Sequence, residues 1–262
     1  MRMFCETVST LSALWMSLRH CRALGIRRGE LKRYYLKTLN LALCYRGFVT
    51  TRSVSDSMRC GQAAFYCCAY DVITDWRHFD SDRRDWYAKL LRDNLPEKIA
   101  TLALNLYRDE YENRLKWDGL SRGSVALEFI SRLIGNFDEL DRQMNVERLG
   151  ILLQIVDDVL DIEDDIRENS INCLLSPARY RYLRMLDAFD FTGLASTLPY
   201  ARILVTVCQA AQNRARQLLK SGSLKESNHI SGCPKNEIDD EEPREVVQDV
   251  YAYAQIIDRH GI

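Results

Sequence analysis

Apolar residues recur at helical spacing in 8–24, 30–46, 56–77, 95–117, 123–135, 145–167, 197–220 and 243–258, and nowhere does the chain alternate for long at period two. Helices this long, each with one apolar stripe, gain their stability by packing on one another rather than from propensity. The 12 glycines and 5 prolines leave few tight corners of the kind a sheet needs. The expectation is an all-α fold, and 262 residues fit a single domain, 1–262. Within it, residues 221–243 (SGSLKESNHISGCPKNEIDDEEP) are poor in apolar side chains and read as a flexible loop or disordered insert before a last amphipathic helix. Two boundaries carry punctuation. Asn94-Leu95-Pro96-Glu97 reads as a cap with proline in the first turn, and Ser121-Arg122-Gly123 reads as a break between two helical patterns.

Charge is nearly balanced at −1, so no global field draws in nucleic acid or an acidic membrane. It is not evenly spread. Residues 1–50 carry nine basic side chains against Glu6 and Glu30, a local +7 that leaves −8 for the remainder. This basic arm could meet an anionic group. TVSTLSALWMSL is apolar but too short to span a bilayer, and no transmembrane segment is expected. Nine cysteines, several inside apolar runs and without a secretory signal, read as reduced thiols of a cytoplasmic protein. Neither the adjacent Cys67-Cys68 nor the scattered histidines match a zinc spacing.

Chemistry concentrates in two acidic clusters. In FYCCAYDVITDW, Asp71 and Asp75 stand four apart after an apolar run, a spacing that puts both on one face of an α-helix. In LGILLQIVDDVLDIEDDI, Asp157, Asp161 and Asp165 repeat that step, with Asp158 and Asp164 beside them. At about 100° per residue all five acids of the second run fall within an arc of about 120°, opposite Ile155, Val159 and Ile162. Like charges so placed destabilise a helix unless a cation offsets them. Oxygen ligands without His or Cys point to Mg²⁺, which commonly holds substrate phosphates.

The paired clusters resemble the two aspartate-rich motifs of the class I isoprenoid synthases. FYCCAYDVITDW is similar to the first motif of the squalene and phytoene synthase branch. LGILLQIVDDVLD is similar to the second motif of the chain-elongating enzymes, while Asp157, Asp161 and Asp165 keep the spacing of the head-to-head enzymes. The similarity covers residues 55–175. It implies a helical bundle around a central apolar cavity. Asp71 and Asp75 would bind metal from one wall, and Asp157, Asp161 and Asp165, or Asp164, from the other, with three Mg²⁺ ions and a prenyl diphosphate between them. Gln154 matches a glutamine beside the family's second motif. Phe65, Tyr66, Phe129 and Leu153 are candidates to line the pocket. Arg122 and Arg179, with Arg77, Arg167, Arg181 and the basic arm (Arg27, Arg28, Lys32, Arg33), are candidates to meet diphosphate.

The chain also departs from these branches. It lacks the Gly-Lys-Arg-x-Arg-Pro segment and near arginine pair of the elongating enzymes, and the Ser-Lys/Arg-Ser-Phe element of the head-to-head enzymes. Machinery for one diphosphate remains while both signatures of a second substrate are missing. That favours a Mg²⁺-dependent terpene synthase, which ionises one linear prenyl diphosphate and cyclises or rearranges the cation, over a prenyltransferase that joins two. A non-enzymatic helical interaction protein is the reading from another class. Apolar faces in excess of one core also suggest a homodimer.

Overall fold

The computed structural model describes residues 2–49, 51, 53–76, 80–113, 120–168, 172–176, 178–198 and 200–221, and these are all-helical, with no strand among them. The expected insert at 221–243 and the expected last helix lie outside the described residues, apart from Ser221 at the end of a helix. Eleven α-helices occur in the described chain: α1 Arg2–His20, α2 Leu31–Arg46, α3 Val54–Asp71, α4 Ser81–Asn94, α5 Glu97–Asn113, α6 Leu120–Ile134, α7 Phe137–Met144, α8 Val146–Glu168, α9 Arg179–Ala188, α10 Phe191–Thr197 and α11 Arg202–Ser221. A π-helical turn, Val72–Trp76, continues α3, and a 3₁₀ turn, Cys173–Leu175, follows α8.

Four of these helices, α4, α7, α9 and α10, have no counterpart in the apolar periodicity. Helices α7 and α10 are shorter than the period needs, and α4 buries only Tyr87, Leu90 and Leu91 on a mostly charged helix. The starts of α4 and α10 are nevertheless written in caps. The Asp80 carboxylate accepts from the N–H of Arg83, and that of Asp190 from the N–H groups of Thr192 and Gly193. Both punctuation readings shift. Asn94 closes α4, donating from Nδ2 to the carbonyl of Leu90, and the Pro96 carbonyl starts α5 by accepting from Ile99 and Ala100. Ser121-Arg122-Gly123 is no break, because it forms the first turn of α6.

Burial divides the interior into two hydrophobic clusters. One gathers Tyr34, Phe65, Tyr66, Ile73, Tyr87 and Leu91 from α2 to α4 with residues of α5 and α6. The other gathers Leu149, Ile155 and Val159 of α8 with Leu183, Leu186 and Cys208 of α9 and α11. Helix α6 serves both, giving Leu127 to one and Phe129 and Ile130 to the other, and Tyr45 of α2 packs on both. The seam between the clusters is where a hollow can form without exposing either. The eight cysteines among the described residues are free thiols.

Helices α6 and α8 set the geometry of that seam by crossing backbone to backbone. A Cβ on Gly123 would lie 2.2 Å from the Gly150 carbonyl oxygen, and one on Gly150 would lie 2.5 Å from the Gly123 carbonyl oxygen. Only hydrogen fits at either place. Gly123→Ala or Gly150→Ala should therefore cost about 1–3 kcal/mol in urea unfolding by forcing the helices apart. Gly29→Ala is the control, since nothing lies within 4 Å of that position.

Candidate active site

A cavity of about 280 Å³ lies along this seam. Its apolar and aromatic lining comes from Leu41, Tyr45 and Phe48 of α2 and the turn after it, Tyr70 of α3, Tyr87 of α4, Phe129 of α6, and Leu153 of α8. Its polar lining comes from Lys37, Asp71, Arg122, Gln154, Asp157, Asp161 and Asp165. Asp71 thus reaches the same hollow from the end of α3 that Asp157, Asp161 and Asp165 reach along one face of α8. The i, i+4 step of the α8 acids explains their common direction.

Lys37, on α2, was not singled out by sequence motif. Its Nζ lies 2.8 Å from Asp71 Oδ2. Burial disfavours the ammonium, but Asp71 and Asp157 outweigh that and hold it protonated far above the ordinary lysine range. The opposing acids respond to confinement. Asp157 keeps exposed surface, but that surface faces the cavity, and burial pushes its carboxyl up to about 7, with Lys37 and Arg122 opposing the rise and Asp161 and Asp158 adding to it. Burial also raises Asp165 to about 6, against a hydrogen bond from Asn172, and raises Asp161. These carboxylates hold more negative charge than their surroundings neutralise.

Asp158, the neighbour of Asp157 in sequence, behaves differently. It is 2% exposed, accepts 2.8 Å from Gln154 Nε2 and 2.7 Å from the Cys173 N–H, and has Arg122 Nη2 3.8 Å away. Gln154 in turn accepts from Arg122 Nε at 3.2 Å. Asp158 is a positioning residue: it fixes Gln154, which fixes the arginine at the cavity wall. Asn172 completes the support by donating to the Asp158 carbonyl and to Asp165 Oδ2, at 2.7 and 2.8 Å. Asp164 leaves the group altogether and pairs with Arg167 at 2.9 Å on the surface.

Several expectations need correction. Phe65 and Tyr66 do not line the cavity. On α3 the residues facing it are Cys67, Tyr70 and Asp71, and helical geometry turns the two preceding aromatics away. Phe65 is fully buried against His20, and Tyr66 props Phe129 edge-on from behind, ring centroids 6.4 Å apart. Arg179 starts α9 away from the cavity, with its guanidinium 5.2 Å from the Tyr180 ring. Asp75 falls in the π-helical turn, whose i→i+5 bonding replaces the α-helical register assumed for the Asp71/Asp75 pair. Its side chain, like Arg77, lies outside the described residues. Phe129, Leu153, Gln154 and Arg122 do line the cavity.

Among the described residues, no three His, Cys, Asp or Glu side chains are gathered closely enough to form a metal-binding group. The donor set still fits Mg²⁺, which takes one or two carboxylates together with substrate phosphates rather than a closed protein cage. Thiols compete poorly for such chemistry here, because burial pushes Cys44 up to about 11 and Cys67 up to about 12. No family model, curated protein or solved structure matches the chain, so the geometry of the cavity has to carry the functional reading.

A carboxyl that keeps its proton to higher pH when folded than when unfolded makes folding less favourable as pH rises. The metal-free protein should therefore lose thermal stability from about pH 4, where an unfolded aspartate ionises, through about 7, where Asp157 does. Asp157→Asn should flatten that fall and melt above the wild type at about pH 8. Melting curves in chelator across this range check it.

Proposed function

We propose that this protein is a Mg²⁺-dependent class I terpene synthase that ionises one linear prenyl diphosphate and shapes the resulting carbocation in its cavity. The observation that carries the reading is the meeting of Asp71 with Asp157, Asp161 and Asp165, far apart in sequence, in the lining of one cavity that is otherwise largely aromatic and aliphatic. Asp71 on one side and Asp157, Asp161 and Asp165 on the other are the residues that would hold the metal. Mg²⁺ bound with the diphosphate supplies the positive charge that stabilises the departing group. Lys37 and Arg122 are the cations of the chain itself at that end, with Gln154 and Asp158 holding Arg122 in direction.

As the allylic C–O bond breaks, its electron pair leaves with the diphosphate and the hydrocarbon is left cationic. Tyr45 and Tyr87 are kept neutral by burial, far above the ordinary tyrosine range, so their rings offer π faces rather than phenolate nucleophiles. One substrate is favoured over two by size. The cavity of about 280 Å³ falls just below the range for small-molecule sites, roughly 300–1,000 Å³, and leaves little room for two prenyl chains.

The purified protein, given a panel of linear prenyl diphosphates from geranyl to geranylfarnesyl with Mg²⁺, should release diphosphate and a hydrocarbon or alcohol from a single substrate. Product that appears only with two equivalents or with added isopentenyl diphosphate would instead assign a coupling enzyme, and no product with any substrate would favour an interaction protein. Asp71→Ala or Asp157→Asn should lower turnover by at least about a hundredfold in a folded protein. Lys37→Met releases both acidic sides from their resident cation. Mg²⁺ alone should then raise its Tm more than it raises that of the wild type, whereas equal shifts would show that lysine and metal do not compete.

A further inference from the structure

Helix α1 presents a second apolar face that the cavity does not use. Phe4, Leu11, Trp15 and Leu18 are 58%, 59%, 66% and 53% exposed, and at about 100° per residue they fall within an arc of about 60°. The opposite face is locked in place. Cys5, Ser9, Ala13 and Ser17 are buried, Ser9 Oγ donates to the Ala42 carbonyl, and a Cβ on Gly61 of α3 would lie 2.2 Å from the Ser9 carbonyl oxygen. The stripe cannot roll inward. Ser12 Oγ donates to the Met58 carbonyl, which places exposed Met58, and Val54 one turn earlier on α3, beside the same face. Scattered exposed apolar residues are ordinary, but a stripe of this kind spread over two helices marks an interaction surface.

Charge identifies the partner. The chain leaves this stripe through exposed Arg19, Arg22, Arg27 and Arg28 and reaches exposed Lys32 at the start of α2, whereas the next residue, Arg33, acts on Asp161 of the cavity. The only acid in that stretch is Glu30, whose carboxylate already accepts from the Arg27 N–H. No described helix is long and apolar enough to cross a membrane. An apolar stripe beside a basic cluster is instead the arrangement that lies in the plane of an anionic bilayer, with aromatic and aliphatic side chains below the headgroups and arginines among them. A second copy of the chain fits less well, because its α1 offers only Glu6 as an acid to meet that basic cluster. We propose that α1 and the basic turn after it dock this protein on the surface of an anionic phospholipid membrane. The inference stands on a different surface from the cavity and does not depend on the diphosphate reading.

Flotation of the full-length chain with phosphatidylcholine vesicles, with and without phosphatidylglycerol, tests it. Binding is expected only with the anionic lipid and should weaken as salt rises. Leu11→Ser with Trp15→Ser should reduce the bound fraction at least about tenfold, with Tm and helical circular dichroism unchanged because these side chains face solvent. Arg27→Ser with Arg28→Ser should weaken binding and flatten its salt dependence. Brominated acyl chains should quench tryptophan emission in the wild type and not in Trp15→Phe. Failure of the wild type to bind, binding that the Leu11/Trp15 variant retains, or a stripe-dependent dimer formed without lipid would each overturn the proposal.

Discussion

Carboxylates crowded against an apolar cavity need a cation, and in this structure the cation is an amine of the chain itself. Lys37 crosses from α2 to Asp71 on α3 and stands in the field of Asp157 on α8. One side chain of α2 thus offsets acids of α3 and α8 that would otherwise repel one another. Burial keeps the carboxyls of Asp157, Asp161 and Asp165 raised despite the opposing charge of Lys37 or Arg122. A site in that condition is poised to take up further positive charge, and the oxygen-only donors favour a hard divalent ion.

The hollow lies where the two large hydrophobic clusters meet, with α6 and α2, including Tyr45, contributing to both. Had α6 and α8 been separated by ordinary side chains, the seam would have been wider and Arg122 would not have reached Gln154. The glycine crossing at 123 and 150 brings the first turn of α6 against α8 about two turns before the acidic face begins, and the hydrogen bond from Arg122 to Gln154 follows directly. Packing at the crossing and chemistry at the wall are therefore one feature. The aromatic rings deeper in the seam are held by edge contacts, Tyr70 with Tyr87 and Tyr107, so the lining is set by stacked neighbours rather than by solvent.

Helical class and the carboxylates of α8 were legible in the sequence because both depend on a period. The period-3.6 stripe reports the helices, and the four-residue step of Asp157, Asp161 and Asp165 reports their common face. What stayed hidden depends on contacts between distant segments. Lys37 had a local signal: it shares a helical face with Leu41, Cys44 and Tyr45, an odd place for an ammonium unless carboxylates wait opposite. Asn172 had none, because its value comes from lying beside both Asp158 and Asp165 after the chain turns. Phe65 and Tyr66 were misplaced because proximity to Asp71 in sequence was taken for proximity to the cavity, whereas one helical step swings a side chain by about 100°. The π-helical turn at Val72–Trp76 was equally invisible, since nothing in VITDW distinguishes an i→i+5 bond from an α-helical one.

The doubled aspartate of α8 shows how far motif likeness can mislead about role. Asp157 and Asp158 are adjacent, and a reading by composition treats them as two ligands of one metal. Adjacent helical residues point about 100° apart, so both can serve one ion only if the helix axis points at it. Here the axis runs along the cavity wall, and the pair divides its labour. Asp157 faces the hollow with a carboxyl raised to about 7, while Asp158 is satisfied by a backbone N–H and an amide and spends its charge on Arg122. The carboxylates with a free path to a ligand are then the ones four apart, Asp157, Asp161 and Asp165, and the similarity to the chain-elongating run LGILLQIVDDVLD is a similarity of packing and support. On the proposed reading, one diphosphate would lie along the step of four on α8, with the neighbouring acid supporting the wall rather than binding the ligand.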